Sequence, residues 1–255
     1  MITNSFIFLE RVGNGLEQKF WKSGIKNWDF FLGAQKVNGL SRQRKLYYDR
    51  MILKARSALY SLDSKYFIEL LPNAEMWRLY DFFKEDALFL DIETTGLSRH
   101  GDDITVFGIY DGINSKTMIK GINLDFSRLK TELKKYKLIV TFNGASFDLP
   151  FIERTYPGLI PRVPHLDVRF LADRLGLNGG LKNIERILGI KRPGIVDGLY
   201  GGDALRLWKM YRASGDEHYL QLLVDYNEYD LINLKIVAEH CVNEMKKEFA
   251  EKLFP

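Results

Sequence analysis

The segment Asp91-Ile92-Glu93-Thr94-Thr95-Gly96-Leu97 directly follows the apolar run Ala87-Leu88-Phe89-Leu90, and this junction constrains the chain more than any other feature. A short apolar run that ends in acids and a glycine-marked turn predicts a buried strand over 87–93. Side chains of a strand alternate between faces, so Asp91 and Glu93 share one face while Leu90 and Ile92 take the other. Two carboxylates held close together each raise the cost of ionising the other unless a cation sits between them. Donors that are all oxygen favour hard ions such as magnesium or manganese over zinc. For an isolated D-x-E, solvation at an open strand end is the competing reading; the apolar run before it and the turn after it weigh against that.

Two further acidic segments follow. Residues 138–142 predict another apolar strand, which runs into Asn143-Gly144-Ala145-Ser146-Phe147-Asp148-Leu149-Pro150. Asn-Gly marks a turn, Ser146 is the expected N-cap, and Asp148 falls in the first turn of a helix over about 146–155, where it also complements the helix dipole. Near the other end, Tyr226 and Asp230 lie four apart in a long amphipathic helix, roughly 216–250, and therefore on one face. Spacing alone would leave Tyr226 as core packing.

Taken together, D-x-E-T-T-G, N-G-x-x-F-D and Y-x-x-x-D, in this order, resemble the three exonuclease motifs of the DEDD superfamily in its tyrosine-bearing (DEDDy) branch. The sequence is most similar to the YprB-like group of ribonuclease H-like proteins. That similarity continues through His165-Leu166-Asp167, Gly179-Gly180-Leu181-Lys182 and Leu188-Gly189-Ile190, covering residues 87–240 and, more loosely, the N-terminal part. The resemblance implies a metal-dependent 3′-to-5′ exonuclease. Asp91, Glu93, Asp148 and Asp230 would hold two Mg2+ or Mn2+ ions roughly 4 Å apart, and Tyr226 would orient the attacking water as a hydrogen-bonding group rather than an ionised base. The histidine-bearing branch would place a histidine where Asp225 stands.

The same resemblance points to Thr95, Leu97, Asn143 and Phe147 beside the last nucleotide, and to Lys182 at a helix start that attracts phosphate. Each has a structural alternative: Leu97 and Phe147 as core, Asn143 as a turn former, Lys182 as a surface lysine. Asp167 and Asp203 read as structural, Asp167 as the N-cap of a helix over 168–175, and His165 as satisfying local backbone. Single-stranded DNA is the expected substrate, because a single strand presents its 3′ end without fraying. The alternatives are an exoribonuclease or structure-selective nuclease, and, from a different class, a non-catalytic nucleic-acid-binding module.

Composition bounds the rest. The chain has 255 residues, 46% of them hydrophobic, enough for one full core plus a smaller attachment. No apolar run reaches the ~20 residues of a bilayer span, and residues 1–13 lack the pattern of a signal peptide. The single cysteine, Cys241, has no internal partner, and the four histidines show no zinc-ligand spacing. A cytoplasmic protein is the expectation. Residues 1–85 carry 14 Lys+Arg against 9 Asp+Glu, whereas the remainder carries 23 against 24. Lys36, Arg42, Arg44, Lys45, Arg50, Lys54 and Arg56 face only Asp49 across 35–56, in a predicted helix over about 41–60. Such a face suits a phosphate backbone or is simply solvated.

The pattern along the chain predicts two regions. Residues 1–85 form a helical N-terminal region that begins with a helix-hairpin-helix-like unit, Gly13 and Gly15 flanking its tight turn. Residues 86–255 form an α/β domain with strands over 87–93, 104–110, 116–120 and 137–142. Its helices are expected near 123–136, 146–155, 168–175, 181–188, 203–213 and 216–250. Three strands linked by short turns, then a crossover helix into a fourth, make a mixed central sheet flanked by helices; the resemblance names this fold ribonuclease H-like.

Overall fold

Strand β1 (Ala87–Thr94) lies at the centre of a five-stranded mixed sheet in the computed structural model, which describes residues 1–96, 101–199 and 201–254. β2 (Ile104–Tyr110) and β3 (Ser115–Ile119) extend the sheet antiparallel on one side of β1. On the other side β4 (Leu138–Thr141) and β5 (His165–Asp167) add parallel, giving the order β3-β2-β1-β4-β5. β1 is sandwiched because its side chains feed two cores alternately. Leu88, Leu90 and Ile92 pack into one apolar cluster with Leu129, Leu133, Phe151 and Ile152, while Ala87 and Phe89 join the cluster on the opposite face. A strand buried on both faces reads as a continuous apolar run, and here that run is broken only where Asp91 and Glu93 stand.

Eleven α-helices surround the sheet among the described residues: α1 (Asn14–Lys22), α2 (Trp28–Gly33), α3 (Arg42–Tyr60), α4 (Tyr80–Phe83), α5 (Phe126–Leu133), α6 (Asp148–Thr155), α7 (Val168–Arg174), α8 (Leu181–Leu188), α9 (Gly194–Asp197), α10 (Gly201–Ser214) and α11 (Glu217–Leu253). With 37 residues, α11 runs for about 55 Å at 1.5 Å per residue. It spans the sheet beside β1, β2 and β3 and continues on to α1. The helix expected over 123–136 is shorter, because the Asp125 carboxylate caps it by accepting from Ser127 N and Arg128 N. β5 was missed altogether. At three residues it carries no readable alternation, and it exists as a strand only through its pairing with β4.

The N-terminal helices pack into the same apolar cluster as one face of the sheet. Phe20, Trp21, Trp28, Phe31, Trp77 and Phe83 are buried together with Phe89, Val140 and Phe249. A buried ionic network adds direction to this packing. Arg78 donates to Glu17 at 2.8 Å and to Glu75 at 2.7 Å, and Glu17 also accepts from Phe6 N at 2.6 Å. Gly13 and Gly15 do not sit between two helices. Gly13 is the extended N-cap of α1 and Gly15 lies within that helix, so only the 3-10 turn Ile2–Asn4 precedes the pair. The glycines therefore stand at the start of α1, and residues 23–27 join α1 to α2.

One glycine decides how close α11 comes to the sheet. Gly108 on β2 pairs with Asp91, and a Cβ at this position would lie 2.0 Å from Asn227 Oδ1 and 2.8 Å from Leu231 Cδ1. Asn227 and Leu231 are both fully buried in α11, so neither side chain has room to swing clear. Gly108→Ala should push the helix off the sheet and cost roughly 1–3 kcal/mol, the usual range for overpacking a tight core. Urea denaturation measures this directly, and an unchanged midpoint would show that α11 does not rest on Gly108.

Candidate active site

The alternation of β1 sends Asp91 and Glu93 to the side on which α11 lies, and the helix returns Asp230 to the same place. Carboxylate oxygens of Asp91, Glu93 and Asp230 all lie within 4.8 Å of one another. A register shift between Glu93 and Thr94 ends the regular pairing of β1 with β2 just past the acids, and a bulge of this kind re-aims the side chains around it. Asp91 is steadied by Asn227, whose Nδ2 donates to Asp91 Oδ2 at 2.8 Å. Sequence reasoning overlooked Asn227, yet it was findable. It is a polar residue on the apolar stripe Leu223, Asn227, Leu231, Leu234 of α11, and buried polar side chains need a partner.

Asp148, the fourth acid, opens α6 and is 5% exposed. Its Oδ1 accepts from Ile92 N at 3.1 Å, which pins it beside β1 between the two strand acids. It falls outside the tight group of three but repels both Asp91 and Glu93. The turn before it is held by Asp167, whose two carboxylate oxygens accept from Asn143 N at 2.8 Å and Ala145 N at 3.0 Å. Asp167 also caps α7 by accepting from Arg169 N, as the sequence led us to expect. Ser146 is not the N-cap of α6. α6 begins at Asp148 without a side-chain cap, because Asn143 takes a positive φ of 64° and the chain tightens before the helix. Gly144 permits that tightness, since a Cβ there would lie 2.2 Å from Thr141 Oγ1. His165 meets the Thr141 hydroxyl at 2.8 Å rather than local backbone.

Tyr226 lies one turn before Asp230 on α11 and is 6% exposed. Its ring packs with Ala204, Leu207 and Trp208 of α10. Arg192, unnoticed in the sequence, donates to Asp230 Oδ1 at 2.5 Å. It sits in a loop where Lys191-Arg192 reads as an ordinary exposed basic pair, so no pattern marked it.

The expected substrate-side residues are placed as follows. Thr95 is half-buried, and its Oγ1 donates to Asp102 at 3.0 Å and accepts from Asp103 N. The Asn143 carboxamide oxygen accepts from Arg169 Nη1 at 2.8 Å. Phe147 is half-buried against Phe151 at 5.7 Å. Lys182 directs its ammonium to the carbonyls of Val196, Asp197 and Leu199. Leu97 lies outside the described residues. On α3, Lys45 pairs with Asp49 and Arg56 with Asp29, and Arg44 lies over the Tyr48 ring. Lys36, Arg42, Arg50 and Lys54 remain as exposed cations.

The electrostatics are those of a site short of positive charge. Burial first, then repulsion from Asp148, Glu93 and Asp230, holds Asp91 well above the ordinary carboxylate range, and Glu93 is raised by burial, Asp230 and Asp148. Burial lifts Asp148 to about 7 against the pull of the Ile92 hydrogen bond. Asp230 rises to about 6, burial outweighing Arg192. Burial and the neighbouring acids also raise Tyr226 above its ordinary value, which keeps its hydroxyl protonated. The donor set is all carboxylate oxygen, which fits a hard divalent cation and not zinc.

The family comparison decides the class. A family model described as RNase_H superfamily matches residues 88–242. The chain belongs to the RNase H superfamily. No curated protein matches it. Among solved structures it is similar to the family B DNA polymerase of the archaeon Pyrobaculum calidifontis, with 14% identity and a TM-score of 0.50, covering 60% of this chain and 24% of the polymerase. It is also similar to Brucella melitensis NrnC with bound Mg2+, with 20% identity, a TM-score of 0.43, and coverage of 68% and 81%. The chain thus spans about a quarter of the polymerase's length. Superfamily membership and the acidic cluster together make this cleft the candidate active site. No helix among the described residues is long and apolar enough to cross a membrane.

Stability of the metal-free protein should follow these carboxylates. A group whose folded pKa is raised contributes stability that is present below its unfolded value and lost as pH climbs through the folded value. His165 opposes this at lower pH. Burial pushes it down to about 4, so its contribution grows until its unfolded value of about 6.5 and is constant beyond. From about pH 6.5 to about pH 8 the several raised carboxylates outweigh the one opposing group, the N-terminal ammonium that burial pushes below 8.0, and the melting temperature without metal should fall, with magnesium restoring it more at the upper end. Thermal melts with chelator or magnesium check this; a flat profile would mean the acids are not forced together.

Proposed function

We propose that the protein is a metal-dependent 3′-to-5′ exonuclease of the DEDDy type, nearest to the YprB-like group, acting on single-stranded DNA. One observation carries the reading: three carboxylates share a space of 4.8 Å with Tyr226 one turn from Asp230. Stability alone does not account for this, since mutual repulsion makes the cluster costly. In this reading Asp91, Glu93, Asp148 and Asp230 are the ligands of two magnesium or manganese ions. When bound, such ions lower the pKa of a water and stabilise charge on the departing 3′-oxygen.

The chain's own residues do the rest. Asp91 and Glu93 would hold the ions from the strand, and Asp230 would hold them from the helix. Asp148, fixed by Ile92 N, closes the remaining side. Tyr226 holds its proton and aims the attacking water by a hydrogen bond rather than by removing a proton in bulk. Thr95, Asn143 and Phe147 flank the terminal nucleotide, where stacking of a base on Phe147 is worth about 1–3 kcal/mol and accepts any base. The exposed cations Arg42, Arg50 and Lys54 of α3 offer a track for the following phosphates.

The test is incubation of the full chain with 5′-labelled single- and double-stranded DNA and RNA, with magnesium, manganese or EDTA. A metal-dependent ladder shortening from the 3′ end on single-stranded DNA is expected. Asp148→Asn should lower kcat by about a hundredfold or more, equivalent to ~3 kcal/mol, and Tyr226→Phe should lower it with metal binding intact. Degradation of RNA alone would move the substrate assignment, and full activity in EDTA or in Asp148→Asn would remove the proposed site.

A further inference from the structure

Among the described residues, Arg192 is a buried charge at this site to which the exonuclease reading gives no task. Its side chain is 2% exposed. Nε donates to Glu185 Oε2 at 2.7 Å and Nη2 to Glu185 Oε1 at 2.5 Å, the two-pronged geometry that fixes a guanidinium plane. Nη2 also donates to Asp230 Oδ1 at 2.5 Å, and the guanidinium carbon lies 5.6 Å from the centre of the Tyr226 ring. A single arginine therefore touches both a proposed metal ligand and the proposed water-orienting tyrosine.

Stability is a poor reason for this arrangement. Buried ion pairs roughly break even against apolar side chains of similar size, and here one guanidinium nitrogen, Nη1, is buried with no partner. The backbone nevertheless goes to some length to hold Arg192 still. Gly189, with φ +71°, caps α8 and turns the chain. Pro193 confines the residue before it to extended backbone. At the C-terminal end of α9, Lys182 clasps the carbonyls of Val196, Asp197 and Leu199, so the loop carrying Arg192 is tied at both ends. Glu185 stands behind the guanidinium, and its negative charge balances the arginine. The arginine can thus orient Asp230 without cancelling the charge that a cation needs.

Resting on the exonuclease reading, we propose that Arg192 is a positioning residue. By taking one oxygen of Asp230 and flanking the Tyr226 ring, it leaves the other carboxylate oxygen for a cation and fixes the direction of the phenol, with Glu185 as its anchor.

The test is steady-state kinetics of the full chain on a labelled single-stranded oligonucleotide at saturating magnesium. The variants are Arg192→Gln, Arg192→Lys, Glu185→Gln, Tyr226→Phe and the double variant Arg192→Gln/Tyr226→Phe, each with a thermal melt. We expect Arg192→Gln to lower kcat by about thirtyfold or more with KM within about twofold, the pattern of an interaction realised in the transition state. Arg192→Lys should recover part of that loss. The double variant should lose little more than the worse single variant, because both act through one arrangement. Folded Arg192→Gln with kcat within about threefold of wild type, or losses that multiply in the double variant, would overturn the inference. If Arg192→Gln does not fold, Arg192→Lys and Glu185→Gln carry the same test, and wild-type kcat in both overturns it. A wild-type chain that degrades no oligonucleotide brings down the exonuclease reading and this inference together; an active wild type with indifferent Arg192 variants removes only the inference.

Discussion

Repulsion among acids that the fold refuses to separate is the constraint on which the structure turns. Asp91 and Glu93 are brought together by nothing more than strand periodicity, and separating them would require unmaking β1, the central strand of the sheet. Asp148 and Asp230 are brought in by independent elements, one by the start of α6 and one by α11. Each is then given a local donor that steadies it without neutralising the group: Asn227 for Asp91, Ile92 N for Asp148, Arg192 for Asp230. Burial raises all four, with mutual repulsion added for Asp91 and Glu93, and a cation bound among them would relieve that cost.

The rest of the molecule serves to make this crowding affordable. β1 is fixed by neighbours on both sides and by apolar clusters on both faces, so its acids have no freedom to splay. Gly108 lets α11 settle against the sheet, and the same close approach that buries Leu231 brings Asn227 to Asp91. Further along, α11 is anchored by the N-terminal helices, where the Trp21 and Trp77 rings meet Phe249 edge to face. Arg78, paired with Glu17 and Glu75 and lying over Phe249, joins that anchor to the chain's first residues. A helix held at its far end by an aromatic and ionic lock is a rigid arm, and Tyr226 and Asp230 ride on it.

Much of this was legible in the sequence, and the parts that were not share a physical cause. The β1 acids, the Asn143-Gly144 turn and the Tyr226-Asp230 face could be read because each rests on a local rule: period two, turn chemistry, or i,i+4 neighbours. What stayed hidden depends on contacts between segments far apart in the chain. β5 is a strand only because β4 lies beside it, and Arg192 matters only because a loop folds back over α11. Lys182 was read as a phosphate ligand from its place after two glycines, and its ammonium is taken up by carbonyls fourteen to seventeen residues later. The basic run on α3 looked uniform, yet Lys45 and Arg56 are spent on Asp49 and Asp29, partners that only the fold selects.

The central claim is that the carboxylates of Asp91, Glu93, Asp148 and Asp230 converge in order to hold divalent cations. Anomalous diffraction from crystals of the full chain soaked in manganese addresses it without reference to substrate or activity. The account predicts two anomalous peaks about 4 Å apart, ligated by these four side chains. Crystals that take up manganese elsewhere, or not at all, with the four carboxylates left unligated, would contradict it.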